Sequence, residues 1–305
     1  VQIYTVNNLQ LIRALHQGIW LMDLSAAEAY RTLAEQIING QPLTAINQIG
    51  SDGEKLVKLP KTVRLSASTQ NPMFGKLDKA APGSIAVYPI QSVIMQDDYC
   101  GAPGLKTIRS WMEQGESSGN ITAHLMHLNT PGGDASGVEE FALFIKSLKK
   151  PVMAFVEGMA ASGGLWIAAA ADETIVSEDL SMVGSLGAFS TFYDQSKRMA
   201  DAGVRKIEVY ATQSTKKNRI YKELVSMDEE VAAAAKSEYA TRFLNPLVTR
   251  FQNAVTTFRA KSASKMTDDV MAGDMFSGSE AINVGLADGM MTFNQAINRL
   301  QNLKK

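Results

Sequence analysis

Cysteine is almost absent from this chain, and the absence removes several protein classes at once. The one thiol, Cys100, cannot build an internal disulfide framework or a cysteine-rich zinc site, and it fits a reducing compartment. Histidine is scarce as well: His16, His124 and His127 are the three, all in the first half of the chain. A surplus of one charge is missing, because 30 basic and 31 acidic residues leave a formal −1. Without such a surplus there is no electrostatic footprint for nucleic acid or for an anionic membrane surface. No run of about 18 uninterrupted apolar residues occurs. The apolar stretch 9–22 is broken by Gln10, Arg13, His16 and Gln17. No basic, apolar, small-residue leader is visible either. The expectation is a protein with no membrane anchor and a cytoplasmic location.

What is present is bulk and pattern. With 305 residues, 45% of them hydrophobic and 20% charged, the chain can bury a sizeable core. Near the start, Ser25 and Glu28 have capping-box spacing, in which each side chain satisfies a free backbone donor. Ala29, Tyr30, Leu33, Ala34, Ile37 and Ile38 continue as a helical stripe that Asn39-Gly40 ends. From Gln41 to Pro82 the pattern gives way to the turn signals Ser51-Asp52-Gly53, Pro60, Gln70-Asn71-Pro72 and Ala81-Pro82-Gly83. The chain therefore divides into an N-terminal helical arm with an irregular linker, 1–82, and a main domain, 83–305.

Beyond Gly83 strand and helix signals alternate. Strands are predicted at 84–94, 121–128, 151–156, 174–176 and 206–210, and helices at 105–112, 136–148, 165–171 and 191–202. Such alternation implies right-handed crossovers and an α/β fold with a mainly parallel, buried sheet, whose sites lie at the carboxyl ends of strands.

Two of those strand ends carry unusual glycine. Residues 121–128 run into Asn129-Thr130-Pro131-Gly132-Gly133-Asp134, and 151–156 into Gly158-Met159-Ala160-Ala161-Ser162-Gly163-Gly164. Both runs are expected to open into helices, whose first N–H groups are free and whose positive dipole end favours an anion. Ser162, held in the second turn, is placed to attack a carbonyl. The developing oxyanion would meet Gly163 from one loop and Gly132 or Gly133 from the other. Close packing of small residues is the plainer reading of either loop alone; the two in series favour the chemical one.

A nucleophilic serine needs a base. His124 and His127 stand three apart on one predicted strand and so face opposite sides. No histidine follows Ser162, and core or surface packing is the plainer role for these two. Lysine is the other candidate, because a buried ammonium loses its proton more easily. Lys206, Lys216, Lys217 and Lys222 cluster after residue 205, and spacing alone does not choose among them.

The segments 129–133, 158–176 and Gly184-Ser185-Leu186-Gly187-Ala188, in this order and spacing, resemble the signal peptide peptidase A family of serine peptidases. The segment 273–289, with Gly285-Leu286-Ala287-Asp288 and a second capping-box pair, Ser277 and Glu280, is similar to that family's closing pattern. The likeness covers about residues 83–300. It implies a Clp protease/crotonase-like spiral of ββα units, in its soluble form and with phage or prophage relatives. It also implies a Ser-Lys dyad with Ser162 as nucleophile. Counting forward from the preceding strand favours Lys216 as the base, and counting back from Asp228-Glu229-Glu230 favours Lys217, which is the choice made here. The family's glycine shortly before that lysine is replaced by Thr212-Gln213-Ser214-Thr215. Ser185 would help to position the lysine amine, or shape the turn.

The expected function is that of a serine endopeptidase acting on flexible or unfolded peptides, with no metal and no cofactor, assembled as a ring-like homo-oligomer. The stripe Val231, Ala235, Tyr239, Phe243, Leu247, Phe251, Val255, bent or broken at Pro246, reads as core or subunit interface. Three alternatives stand beside it: a phage capsid-maturation protease, an acyl-CoA hydratase or isomerase of the same fold, and an inactive relative that serves as a binding or assembly module.

Overall fold

The computed structural model describes residues 20–22, 61–65, 72–99 and 102–305. The expected helix at 25–38, the apolar piece 56–59, His16 and Cys100 lie outside these residues.

The central sheet grows from three parallel strands that the apolar runs dictate: β4 (Ser84–Gln91), β5 (Ile121–Thr130) and β7 (Val152–Ala161). Buried on both faces, they read as near-continuous apolar runs instead of alternating ones. Two earlier strands, β2 (Lys61–Leu65) and β3 (Pro72–Lys76), extend the sheet antiparallel beside β4. Residues before Gly83 thus contribute to the main sheet. A further three-residue strand, β1 (Trp20–Met22), pairs with β6 (Gly132–Asp134) in a small sheet of its own.

β7 is shared along its length. Its first half pairs with β8 (Glu173–Val176) and its second half with β9 (Met182–Gly184), both parallel. At the margins, β10 (Met275–Phe276) runs antiparallel to β9, and β11 (Gly289–Met290) runs parallel to β8. The result is a mixed α/β fold whose sheet is mostly parallel.

Helices α1 (Leu105–Ser117), α2 (Val138–Ser147) and α3 (Gly163–Ala169) bridge the successive strands, and their apolar faces form one core with β4, β5 and β7. α3 is buried at every position, so its alanines and glycines let it lie close to the sheet. On the other face, Val63, Ile85, Leu125, Phe155 and Ile175 pack under the C-terminal helix α10, whose Ala296, Ile297 and Leu300 face them. Helix α10 itself spans Phe293–Asn302 and begins in a capping box, Thr292 with Gln295.

The pattern fails in two places after residue 190, while the long apolar stripe is interrupted beside Pro246 as expected. Residues 206–210 form no strand; they are solvent-facing, with Val209 91% exposed, and no neighbouring strand offers a ladder. The helix expected at 191–202 shrinks to α4 (Ser196–Asp201), which buries no residue and so lacks the packing that would extend it. The long apolar stripe is split between two cores. α6 (Glu229–Tyr239) sends Ala235 and Tyr239 against Ile220 of α5 (Arg219–Leu224). A π-helical turn (Ala240–Leu244) follows, and α7 (Asn245–Phe258) sends Phe251 and Val255 into the main core. Pro246 stands in the first turn of α7, where its missing N–H costs nothing, and the π turn takes up the change of phase. Val231 and Phe243 remain 39% and 38% exposed.

The closing segment is pinned by ions. Arg259, 6% exposed, donates from Nη1 and Nη2 to the two Asp288 carboxylate oxygens at 2.6 and 2.9 Å. Its Nε donates to the Gly285 carbonyl at 2.9 Å, while Asp288 Oδ2 also accepts the Thr174 N–H at 2.7 Å. After the short helix α8 (Asp268–Ala272), the expected capping box of Ser277 and Glu280 opens helix α9 (Gly278–Asn283).

Candidate active site

Ser162 occupies the junction of β7 and α3 with φ 52° and ψ −114°. A non-glycine residue in this region is strained, and such strain persists only where the surroundings over-determine it. Here the surroundings are main-chain hydrogen bonds. The Ser162 N–H donates to the Gly184 carbonyl at 2.8 Å, its carbonyl accepts from the Trp166 N–H at 3.1 Å, and Ala161 pairs with Gly184 in the ladder. Serine at a helix N-cap ordinarily turns its hydroxyl back onto the helix. Ser162 does not: its Oγ donates instead to the Gly187 carbonyl at 3.3 Å. The Gly184–Ala188 segment therefore grips this serine at both its amide and its hydroxyl, and leaves the N–H groups opening α3 uncapped.

Gly163 is the first residue of α3, and among the described residues its N–H has no main-chain acceptor. The other glycine run ends differently from its sequence expectation. Gly132–Asp134 does not open a helix; it forms β6, and α2 begins at Val138. Its donors are therefore strand N–H groups, fixed by pairing and not by a helix end. Gly132, at φ 94°, donates its N–H to Thr130 Oγ1 at 3.1 Å. Its carbonyl accepts from Ile94 N–H at 2.8 Å, and Asp134 N–H donates to the Ile94 carbonyl at 2.9 Å. Strand alternation then turns the N–H of Gly133 the opposite way, toward β1. A side chain at Gly133 would collide with the Ile94 main chain, so glycine is needed there for close approach.

Gly133 and Gly163, with Gly132 behind them, line the same small space. Leu21 of β1 proves the proximity: a Cβ at Gly132 would collide with the Leu21 carbonyl oxygen, and one at Gly163 would stand 3.4 Å from it. Ser162 itself is 1% exposed.

The remaining expected residues sit apart from that centre or beside it. Ser185 has φ 57° and donates its N–H to the Asp274 carbonyl at 2.9 Å, so its observed part is in shaping the turn that holds Ser162. Lys216 and Lys217 are both exposed. Among the described residues neither ammonium makes a hydrogen bond or ion pair, and neither touches Ser162 through one. Lys206 and Lys222 instead flank Glu208, at 3.2 and 3.7 Å.

The two strand histidines have other partners. His124, fully buried, is hydrogen-bonded through Nδ1 to the Tyr88 hydroxyl at 3.0 Å and through Nε2 to Glu116 at 2.9 Å. Burial pushes its pKa below the ordinary imidazole value, against the pull of Glu116. Burial also raises the Tyr88 phenol, with the Glu116 charge adding to it. His127, on the opposite face, pairs with Glu157 at 2.7 Å beside Phe155 and Phe293.

Sequence reasoning missed Thr130, Gly187 and β1. Thr130 carried a signal in hindsight, since it stands two residues before the glycine it fixes. The apolar triplet Trp20-Leu21-Met22 gave no signal of its own, because nothing local reveals a pairing more than 100 residues away.

Residues 145–305, more than half of the chain, match Peptidase family S49. The chain is similar to Protease 4 of Haemophilus influenzae, with 28% identity over 73% of this chain and 35% of that protein. A putative protease of Methanocaldococcus jannaschii shows 30% identity over 62% of this chain and 58% of its own length. The capsid assembly protease C of Escherichia phage lambda shows 26% identity over 77% of this chain and 53% of its own. The chain thus spans between about a third and three fifths of the curated relatives it matches. Among the described residues no helix is long and apolar enough to cross a membrane.

Proposed function

Because the chain belongs to Peptidase family S49, we propose that it is a serine endopeptidase that uses Ser162 as nucleophile and a lysine of the 216–217 pair, Lys217 by preference, as base. The fold behind this reading is the Clp protease/crotonase spiral of ββα units. The observation that carries it is the strained Ser162 turn, with its hydroxyl turned off its own helix and onto the Gly187 carbonyl. The one hydrogen bond the hydroxyl makes among the described residues is a 3.3 Å contact with the Gly187 carbonyl, little return for holding a non-glycine residue in this conformation.

In the reaction, neutral lysine takes the Ser162 Oγ proton as the oxygen adds to a peptide carbonyl. The oxyanion is held by the N–H groups of Gly163 and Gly133, with Gly132 locked behind them. The protonated lysine then gives its proton to the leaving amine, and water, deprotonated by the same lysine, hydrolyses the acyl-serine ester.

A lysine works as a base only when taken out of water. The segment that carries the pair is solvent-facing and exposes apolar side chains with it, Ile207 at 71% and Val209 at 91%. Exposed apolar residues of this kind mark a contact surface. We read the segment as one that a homo-oligomer covers, desolvating the lysine as it assembles. Confinement inside such an oligomer suits flexible or unfolded peptide substrates.

The likeness to the phage capsid assembly protease favours, as a second reading, a peptidase that acts during capsid maturation. Labelling with a serine-directed fluorophosphonate or a peptide aldehyde tests the first reading. Expected is mass-mapped modification of Ser162 in the wild type, lost in Ser162→Ala and in one lysine variant. A folded wild type that no probe labels at Ser162 would leave the assembly-module alternative.

A further inference from the structure

β1 runs beside both glycine runs of the candidate site. Trp20 exchanges both main-chain hydrogen bonds with Phe189, N–H to carbonyl at 2.9 Å and carbonyl from N–H at 3.1 Å. On its other edge the strand runs antiparallel to β6, with Trp20, Leu21 and Met22 opposite Asp134, Gly133 and Gly132. The three residues are therefore held by the β6 ladder along one edge and by the single bridge of Trp20 to Phe189 on the other, in the way an extended peptide is bound by strand addition.

The register fixes which carbonyl is presented. Trp20 directs its N–H and carbonyl to Phe189, so alternation directs those of Leu21 to Gly133. Gly133 reaches the same conclusion from its own side, because its neighbours Gly132 and Asp134 spend their carbonyl and N–H on Ile94. The Leu21 carbonyl oxygen lies against the Gly132 Cα, and both it and the Leu21 Cβ face Gly163, 3.4 and 3.5 Å from where a side chain there would begin. The glycines that admit this oxygen are those expected to hold an oxyanion. The Leu21 side chain is 0% exposed in the main core, whereas Trp20 and Met22 point away from it, to Val93, Met95, Tyr99 and Phe189.

We propose that β1 is a tethered substrate strand, which presents the Leu21–Met22 peptide bond to Ser162, and that the site accepts extended segments with an apolar side chain at the position Leu21 holds. The inference rests on the peptidase reading of Ser162. Ser162 Oγ adds to the Leu21 carbonyl carbon and its proton passes to the base. The C–N bond to Met22 then breaks, and the departing nitrogen takes that proton as the amine of a new N-terminus. Water hydrolyses the ester to a Leu21 carboxylate and restores the serine. Ser162 is 1% exposed, and on this proposal departure of β1 frees the edge of β6 for an outside peptide.

The test follows the chain's own termini and its choice among peptides. Wild-type protein and Ser162→Ala are held in parallel as full chains, then read by intact mass and N-terminal sequencing. Expected is a new N-terminus at Met22, with a complementary fragment ending at Leu21, in the wild type alone. Leu21→Asp should lose this cut and Leu21→Met should keep it. In a library of outside peptides, leucine at the acyl position should exceed aspartate by about tenfold or more in kcat/KM, as an apolar pocket discriminates. If Ser162 is labelled and outside peptides are cut, while the 21–22 bond stays whole and leucine and aspartate peptides turn over alike, the tethered-strand inference is overturned and the peptidase reading stands. If Ser162 is not labelled at all, both fall.

Discussion

Ser162 and Gly187 are joined by a hydrogen bond from the serine hydroxyl to the glycine carbonyl, 3.3 Å long. It holds the Oγ off the N-terminus of α3 while Gly184 holds the Ser162 amide at 2.8 Å. The serine is in this way kept in a backbone conformation that a serine left to itself would abandon.

That strain gives the first prediction. Replacing Ser162 by glycine should abolish peptidase activity yet raise stability by about 1 kcal/mol, since relief of strain worth about 1–3 kcal/mol outweighs glycine's added chain entropy. Ser162→Ala should be equally inactive without that gain, because alanine keeps the strained Cβ. Urea unfolding of the two variants beside the wild type measures the difference.

For the base, the pair Lys216 and Lys217 should separate under alanine substitution. Lys217→Ala is expected to remove about 10³-fold or more of the peptidase rate, in the range that loss of a catalytic base or nucleophile produces. Lys216→Ala should leave most of the rate. Single-turnover rates of acylation by an activated ester, read for both variants, decide between them, and the reverse order would move the assignment to Lys216.

Thr130 acts on the reaction through Gly132. Its hydroxyl accepts the Gly132 N–H at 3.1 Å, and the residue is wholly buried. Thr130→Val keeps the volume but leaves that N–H without an acceptor, a cost of about 1–3 kcal/mol. If the glycine strand loosens as a result, kcat should fall about tenfold with KM little changed, and Thr130→Ser should restore the rate. A KM effect alone would assign Thr130 to substrate binding instead.

The His124 imidazole gives the protein an acid-sensitive core. Its folded-state pKa is depressed by burial, so the neutral form is the one the fold favours. Above the ordinary imidazole value, about 6.5, neither folded nor unfolded His124 is protonated and its contribution is whole. As pH falls through that value and on through the lower folded value, the unfolded chain binds the proton first and stability drops. Glu116 behaves consistently: burial opposes its ionisation, but hydrogen bonds from His124 and from the Lys149 N–H hold it below the ordinary carboxylate value. Between pH 7.5 and 5.5 the wild type should lose more Tm than His124→Gln does.

Arg259 and Asp288 should dominate the stability of the C-terminal third. Arg259→Ala would leave the Asp288 carboxylate without its bidentate partner and the Gly285 carbonyl without its Nε donor. A loss of about 2 kcal/mol is expected, below the range for a fully buried pair because the Asp288 carboxylate is 37% exposed. Denaturant midpoints of Arg259→Ala and Arg259→Lys check it, with lysine recovering little, because it cannot form the fork.

Much of this protein is determined by its sequence alone. The apolar runs at β4, β5 and β7 could only be buried strands, and the intervening helical stripes could only cover them. The capping box at Ser277 is likewise local, since neighbouring residues supply all its chemistry, whereas the turn before α3 is small-residue sequence held in place by Gly184 and Gly187. Tertiary structure decided the rest. It made a strand of the Gly132–Asp134 run, because β1 and Ile94 pair with it from far away in the chain. It left 206–210 unpaired, although its composition suits a strand, because a strand is stable only with a neighbour to take its N–H and carbonyl groups. It split the apolar stripe of 231–255 between two cores by way of a π turn. And it set the Leu21 carbonyl against Gly132 and beside Gly163, a meeting of distant residues that no local pattern encodes and only the closed fold brings about.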